Sequence, residues 1–426
     1  MLTRSARLLV LSLVIAAGTG YYFFGLLIPA SRVVNSARNL GGGYGFGNDF
    51  YPIWLTTRTL PHGVDPYAHS TEGMIEVGLY GRPLDRAKPV DAAINYRGFS
   101  YPLYTDILAA PLALLPFHSV QIVLCILLAL LTAVGVACWF DVLGLDASPI
   151  WLAFATLLTL FNCPVQEGLY ALQPTLVVAA LIAAAIAALR HDRFALAGIL
   201  LALASIKPHL IFPLVTWLSL WALGDWRRRK NLVISFAACV AALLIASYFV
   251  MPGWWLSWWH NLPAYRRYTT PPLAQLVLGN ILGRLLGLVL VAFAGIAAVR
   301  WRRLPADSAQ FQLLTAFVLL LTVIVISSSI AVYDHILLLP ALLWLYAHRE
   351  GILRANRPVR IVTLLMLGAL FWPWVSATLI SSASPFFFWA HSYRAILLPL
   401  ATAASFPFAV LSLGAFFLAQ AMRGES

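Results

Sequence analysis

Few residues in this chain can do chemistry, and most of them gather at the edges of apolar runs. Asp49 closes a glycine-rich stretch in GGGYGFGNDFYPIW, and Asp65 opens Asp65-Pro66-Tyr67. Gln166, Glu167 and Gln173 flank a turn at 163–173, and Lys207 precedes Pro208. His260, Arg266 and Arg267 fall in a loop at 252–280, and Asp334-His335 stand where another apolar run begins. A carboxylate can take a proton from an attacking hydroxyl, and Lys or Arg can hold an anionic group. Ionisable groups at membrane depth are costly to keep, which makes them functional candidates by default.

Each candidate also fits a plainer role. Asp49 is a favoured N-cap for an amphipathic helix beginning at Phe50, with Pro52 suited to its first turn. Lys207 fits a side chain snorkelling to headgroups, and His335 fits an interfacial histidine. Trp254, Trp255, Trp258 and Trp259 fit an aromatic belt, as does Phe386-Phe387-Phe388-Trp389. The glycines at 41–47 do not form a strand–GxGxxG–helix unit, so they predict no dinucleotide loop.

The surroundings of these residues fix the class. Of 426 residues, 61% are hydrophobic and 10% charged, against roughly 45–50% and about 25% in a soluble domain. The chain therefore reads as an all-α polytopic membrane protein. The formal charge of +12 sits in short clusters between apolar runs, which is where orientation signals sit, and nucleic acid is set aside as a partner. Cys125, Cys138, Cys163 and Cys239 lie in or beside apolar runs without CxxC spacing, so neither a disulfide framework nor a zinc site is expected.

Twelve apolar runs are expected to span: 8–29, 118–140, 149–163, 173–190, 194–207, 209–224, 231–251, 281–300, 311–330, 335–348, 359–380 and 394–419. The first, behind Arg4 and Arg7, is too long for a signal-peptide core and reads as an uncleaved span. If each run crosses once, the basic clusters at 190–193, 227–230, 300–303 and 349–360 share one side with both termini, and that side is the cytoplasm. Segment 30–117 is then a large outer first loop carrying amphipathic helices. Its stretch 101–117, which holds Asp106, Pro111 and Pro116, is expected to lie at the outer interface with Leu108, Leu112 and Leu115 on its apolar face. Lys207 becomes the outward tip of a hairpin. One integrated domain over 1–426 is the simplest organisation.

An acid in the first outer loop close to the membrane, a large loop of short amphipathic helices and a Lys-Pro hairpin tip together resemble the GT-C class of integral-membrane glycosyltransferases. Within it, the chain resembles glycosyltransferase family 87. The matching text is GNDFYPIWLTTRTLPHGVDPYA, then FSYPLYTDILAAPLALLP, then LQPTLVVAALIAAAIAALRHDRFALAGILLALASIKPHL, with YDHILLLP near the C-terminal half. The chain reads Leu172-Gln173-Pro174 where the family more often has Gly-Gln-Asn. The resemblance implies a GT-C-like bundle and inverting transfer of a sugar, most often mannose. The sugar passes from a polyprenyl-phosphate donor to a hydroxyl of a glycolipid or glycan acceptor, at the outer face of the bacterial cytoplasmic membrane. It implies Asp49 as the base, with His335 orienting the acceptor or bonding the phosphate. Lys207, Arg266 and Arg267 would hold the donor phosphate. Asp65, Tyr67, Gln173 and Trp258 would contact sugar or acceptor, without metal or other cofactor. The competing class is a multi-span transporter or lipid-linked-sugar flippase, which usually shows internal repeats and charges deep in broken helices.

Overall fold

The computed structural model describes residues 4–37, 45–85, 87–92, 94, 98–350, 357–403 and 405–423, so the first part of the glycine stretch 41–47, residues 41–44, and the basic residue Arg354 lie outside the described residues. Within them the chain is helical, with one isolated antiparallel bridge, Pro272 to Ser328, in place of any strand. Helix α1 (Arg4–Tyr21) passes through a π-helical turn at Tyr22–Leu27 into α2 (Ile28–Ala37). Segment 30–117 then holds the short helices α3 (Tyr51–Thr59), α4 (His69–Tyr80), α5 (Pro89–Ala92) and α6 (Tyr104–Ala113).

The bundle follows. It comprises α7 (Phe117–Val142), α8 (Pro149–Leu160), α9 (Cys163–Ala171), α10 (Pro174–Arg190), α11 (Phe194–Ala204) and α12 (Pro208–Leu223). It continues with α13 (Trp226–Val250), α14 (Trp254–Tyr268), α15 (Leu273–Leu278), α16 (Asn280–Trp301) and α17 (Ala309–Leu321). After a 3-10 segment at Val332–Leu338 come α18 (Leu339–Ala347), α19 (Arg357–Ala383), α20 (Tyr393–Ala401) and α21 (Ser405–Arg423).

Seven helical stretches among the described residues are long and apolar enough to cross a membrane, and an eighth if α8 and α9, bent by 68° at their junction, form one span. Four shorter apolar helices, Pro174–Arg190, Phe194–Ala204, Pro208–Leu223 and Val332–Ala347, cover the remaining expected runs. The protein is polytopic, and the crossings by these shorter helices stay part of the twelve-span proposal.

Small residues set the packing. Helix α10, rich in alanine between Ala179 and Ala188, is buried along most of its length between α7 and α11. Small side chains let backbones approach where lipid removes the hydrophobic drive between helices. At Gly198, where α11 crosses α13, an added Cβ would meet Ser235 Oγ at 2.1 Å and Leu232 O at 2.4 Å, so only glycine permits that crossing.

The same helices have chemically opposite ends. Helix α10 begins just after Gln173 and ends at Arg190, which with His191 reaches Asp141 at the end of α7. Helix α12 begins after Lys207. Its far end is held by the buried guanidinium of Arg229, which donates to Trp221 O and Arg302 O at 2.8 Å and to Leu304 O at 3.0 Å and lies 3.8 Å from the Trp221 ring centroid. The basic clusters at 190–193, 227–230 and 300–303 thus gather at one end of the bundle, and Gln173 and Lys207 lie at the other.

Stretch 101–117 forms the expected short helix, α6. Leu108 on this helix and Leu115 just beyond its end are exposed, whereas Asp106 is buried against α3, where Oδ1 lies 3.0 Å from Thr56 Oγ1 and 3.1 Å from Thr57 Oγ1. Burial pushes the Asp106 carboxyl well above the usual carboxylate range.

Candidate active site

A cavity of about 530 Å³ opens at the end of the bundle opposite the basic clusters. Asp49, Gln173, Lys207, Trp258, Arg266 and Asp334 all line it, although they come from five different stretches of chain.

Asp49 does not cap the helix that follows. Helix α3 starts at Tyr51, its N-cap position is Phe50, and no side chain caps it, although Pro52 does fall in the first turn. The backbone of Asp49 is tied instead to the end of α9: Gly47 N donates to Tyr170 O at 2.7 Å and Asp49 N to Ala171 O at 3.2 Å. Gly47 makes this tie with φ +80°, and an added Cβ would come within 2.9 Å of Leu172 Cδ1. Leu172 itself is buried in the left-handed region at φ 55°, a strained setting for a branched side chain. The resulting sharp turn between α9 and α10 carries Gln173 toward Asp49.

A chain of hydrogen bonds then crosses the wall. Gln173 Nε2 donates to Asp49 Oδ2 at 2.5 Å, while Gln173 Oε1 accepts from Lys207 Nζ at 2.7 Å. Lys207 also donates to Thr175 Oγ1 at 2.7 Å, and Thr175 donates to Asp334 Oδ1 at 2.7 Å. Lys207 stands 4.0 Å from that same oxygen, and Ser327 closes the chain on Asp334 Oδ2. Lys207 therefore does not snorkel: only 6% exposed, it lies 5.0 Å from the Tyr333 ring centroid. Taking a cation out of water is expensive unless it is paired and hydrogen-bonded, and this wall supplies the pairing.

The far side of the cavity comes from α14, whose tryptophans divide between two faces. Trp255 and Trp259 are exposed outward, as an aromatic belt requires. Trp254 is buried and Trp258 lines the cavity, with its indole Nε1 donating to Ser100 O at 2.9 Å. The i to i+4 spacing puts each pair on one face. Arg266 reaches the cavity from the same helix; the side chain of Arg267 lies outside the described residues.

Three expected contacts stand behind this wall. Asp65 Oδ1 accepts from Tyr67 N at 2.8 Å, a local turn. Tyr67 is buried, its phenol is pushed far above its ordinary range by that burial, and its hydroxyl donates to Tyr101 O at 2.8 Å, so it steadies the wall residue Tyr101. His335 is buried against Phe406, at 6.3 Å between ring centroids, with Nδ1 unpartnered. It directly follows Asp334 and backs it. Among the lining or supporting residues that sequence alone does not single out are Thr175, two after Gln173, and His209, two after Lys207. In both cases the signal was the opening turn of a helix whose preceding residue already stood out. Asp334 stood out by sequence but was given no role.

Among the described residues no group of three or more His, Cys, Asp or Glu side chains is placed to hold a metal ion. The cavity offers two carboxylates, an amide, hydroxyls and two cations, a set suited to taking a proton from one hydroxyl while holding an anion.

Comparison with known proteins agrees with this chemistry. Searches of curated proteins and of solved structures return no match. A family comparison matches residues 99–328 to Glycosyltransferase family 87, a stretch that carries Gln173, Thr175, Lys207, Trp258 and Arg266 and leaves Asp49 and Asp334 on either side. Since that match covers more than half of the 426 residues, the chain belongs to glycosyltransferase family 87.

Proposed function

We propose that this glycosyltransferase takes its sugar, most often mannose, from a polyprenyl-phosphate donor and transfers it with inversion to a hydroxyl of a glycolipid or glycan acceptor at the outer face of the cytoplasmic membrane. The observation that carries the reading is the Gln173 bridge, which holds a carboxylate at one end and a buried ammonium at the other on a single cavity wall.

Asp49 takes the acceptor proton as the acceptor oxygen bonds to the anomeric carbon. The bond from that carbon to the phosphate oxygen breaks, and the phosphate leaves with the electron pair, passing from a singly charged diester to a doubly charged monoester. Lys207 and Arg266 stabilise that gain of charge. Trp258 and Tyr101 supply faces for sugar rings, and Asp334 with Thr175 keeps the Lys207 ammonium in place.

Helix lengths favour a donor that arrives within the bilayer. Helices α10, α11 and α12 have 17, 11 and 16 residues, or about 26, 16 and 24 Å at 1.5 Å per residue, against a hydrocarbon core of about 30 Å. A cavity at their ends is recessed into one leaflet, where a lipid phosphate can reach it laterally.

The test is Asp49→Asn in the purified full chain, assayed with a panel of polyprenyl-phosphate sugars and lipid acceptors. The amide is nearly isosteric, so folding and donor binding are expected to persist while turnover falls by about 10²–10⁴-fold, as for loss of a general base. Normal turnover in this variant, or efficient transfer by the wild type from a nucleotide sugar, sinks the reading.

A further inference from the structure

The hydrogen bonds of the cavity wall leave Lys207 with little to spare. Two of its three N–H donors go to Gln173 and Thr175, and its remaining side faces Asp334 and the Tyr333 ring. A departing phosphate monoester carries about two negative charges and presents three strong acceptor oxygens. Lys207 offers such a group its charge but few free donors.

His209 lies next along the same wall. It is the second residue of α12, two positions beyond Lys207, and its side chain is exposed to the cavity. The bonded chain from Asp49 to Asp334 does not include it. Either form of imidazole carries at least one N–H donor. His209 also belongs to the first turn of a 16-residue helix, whose opening N–H groups and dipole favour an anion near that end.

We propose that His209 is a phosphate-binding catalytic residue: its imidazole N–H donates to a non-bridging oxygen of the lipid phosphate and holds that oxygen as the charge on the leaving group rises. This rests on the polyprenyl-phosphate reading above. No proton changes hands at His209. The acceptor proton goes to Asp49, and the phosphate departs with the bonding pair while the ring keeps its hydrogen.

The experiment measures binding of a short-chain polyprenyl monophosphate, and of the matching polyprenol, to the purified full chain and to His209→Ala and His209→Gln. The wild type is expected to bind the phosphate at least about tenfold more tightly than the alcohol. His209→Ala should lose about tenfold or more in phosphate affinity, the scale of one hydrogen bond to a charged group. Its affinity for the alcohol should not change, which also reports an intact fold. His209→Gln restores a donor and should recover most of the loss. In turnover, His209→Ala should lower kcat and leave the acceptor KM in place. Unchanged phosphate affinity in His209→Ala, or a defect confined to the acceptor KM, overturns the assignment of His209 alone. A wild type that does not prefer the phosphate to the alcohol overturns the donor reading and this assignment with it.

Discussion

Gln173 is the side chain on which the rest of the wall depends, because one amide serves two ions of opposite sign. Its N–H end can only donate, which suits Asp49, and its oxygen can only accept, which suits Lys207. Gln173→Ala removes both partners at once, and hydrogen bonds to charged groups are worth about 1.5–3 kcal/mol each. We expect kcat/KM to fall by roughly ten- to a hundredfold and the melting temperature to fall with it, because a buried ammonium loses a partner. Wild-type turnover in this variant would show that the bridge plays no part in the reaction. Asp49, Gln173 and Lys207 were legible as candidates because polar residues are scarce beside apolar runs. Thr175 and His209 were not, since a threonine or histidine in a helical first turn has many ordinary reasons to be there. Lys207 illustrates a different limit: its sequence context fits snorkelling, and only the meeting of α10 with the α11–α12 hairpin shows the ammonium turned inward.

At the scale of elements, the pairing of α3 with α6 sets where Asp49 sits, because α3 begins two residues beyond it. Asp106 joins the two helices. The hydroxyls of Thr56 and Thr57 also lie within bonding distance of Pro52 O and Ile53 O, at 2.8 and 2.7 Å, so a neutral Asp106 can donate its own proton to a threonine oxygen. Its raised proton affinity fits that arrangement. The folded chain then binds this proton more tightly than the unfolded chain does. The stability it contributes is complete below about pH 4 and is lost as pH rises toward the folded value. Asp106→Asn keeps a donor without a titration, so it should match or exceed the wild type in thermal stability at pH 8, with the difference shrinking toward pH 5. Asp106→Ala leaves the threonine oxygens unmatched and should cost about 1–3 kcal/mol at either pH. Thermal melts across pH decide this, and an Asp106→Asn variant as damaged as Asp106→Ala would show that the charged form is the one that matters. Sequence could place a short helix here, from its leucines and prolines, yet it left the purpose of its acid open, because the partner threonines are about fifty residues upstream. The tie from Gly47 and Asp49 to Tyr170 and Ala171 was hidden for the same reason, being carried by backbone atoms that no residue type advertises.

For the molecule as a whole, hydropathy made the succession of apolar runs readable, since a bilayer imposes length and composition on every span. It already marked the runs on either side of Lys207-Pro208 as short, but it could not show that the starts of α10 and α12 meet, through Gln173 and Lys207, on one cavity wall. Orientation rests on charge, and the fold sharpens that argument. Arg190 and His191 meet Asp141, Arg228 meets Asp192, and Arg229 grips the backbone at 302–304, so three basic clusters form one face of the bundle. Short loops rich in Lys and Arg stay in the cytoplasm, and on that rule we propose that the cavity and the helices of segment 30–117 lie on the other side. Single cysteines at Ser70 and at Arg228, in a chain whose four native cysteines have been replaced, test this directly. Ser70 is exposed at the start of α4, and the Arg228–Asp192 pair is 57% exposed on both sides, so losing it costs little. In intact cells an impermeant thiol reagent should label position 70 and leave 228 untouched until the membrane is opened. Labelling at 228 from outside would put the basic face on the outer side and turn the cavity toward the cytoplasm. A polyprenyl-phosphate sugar presented at the outer face would then have no route to Asp49.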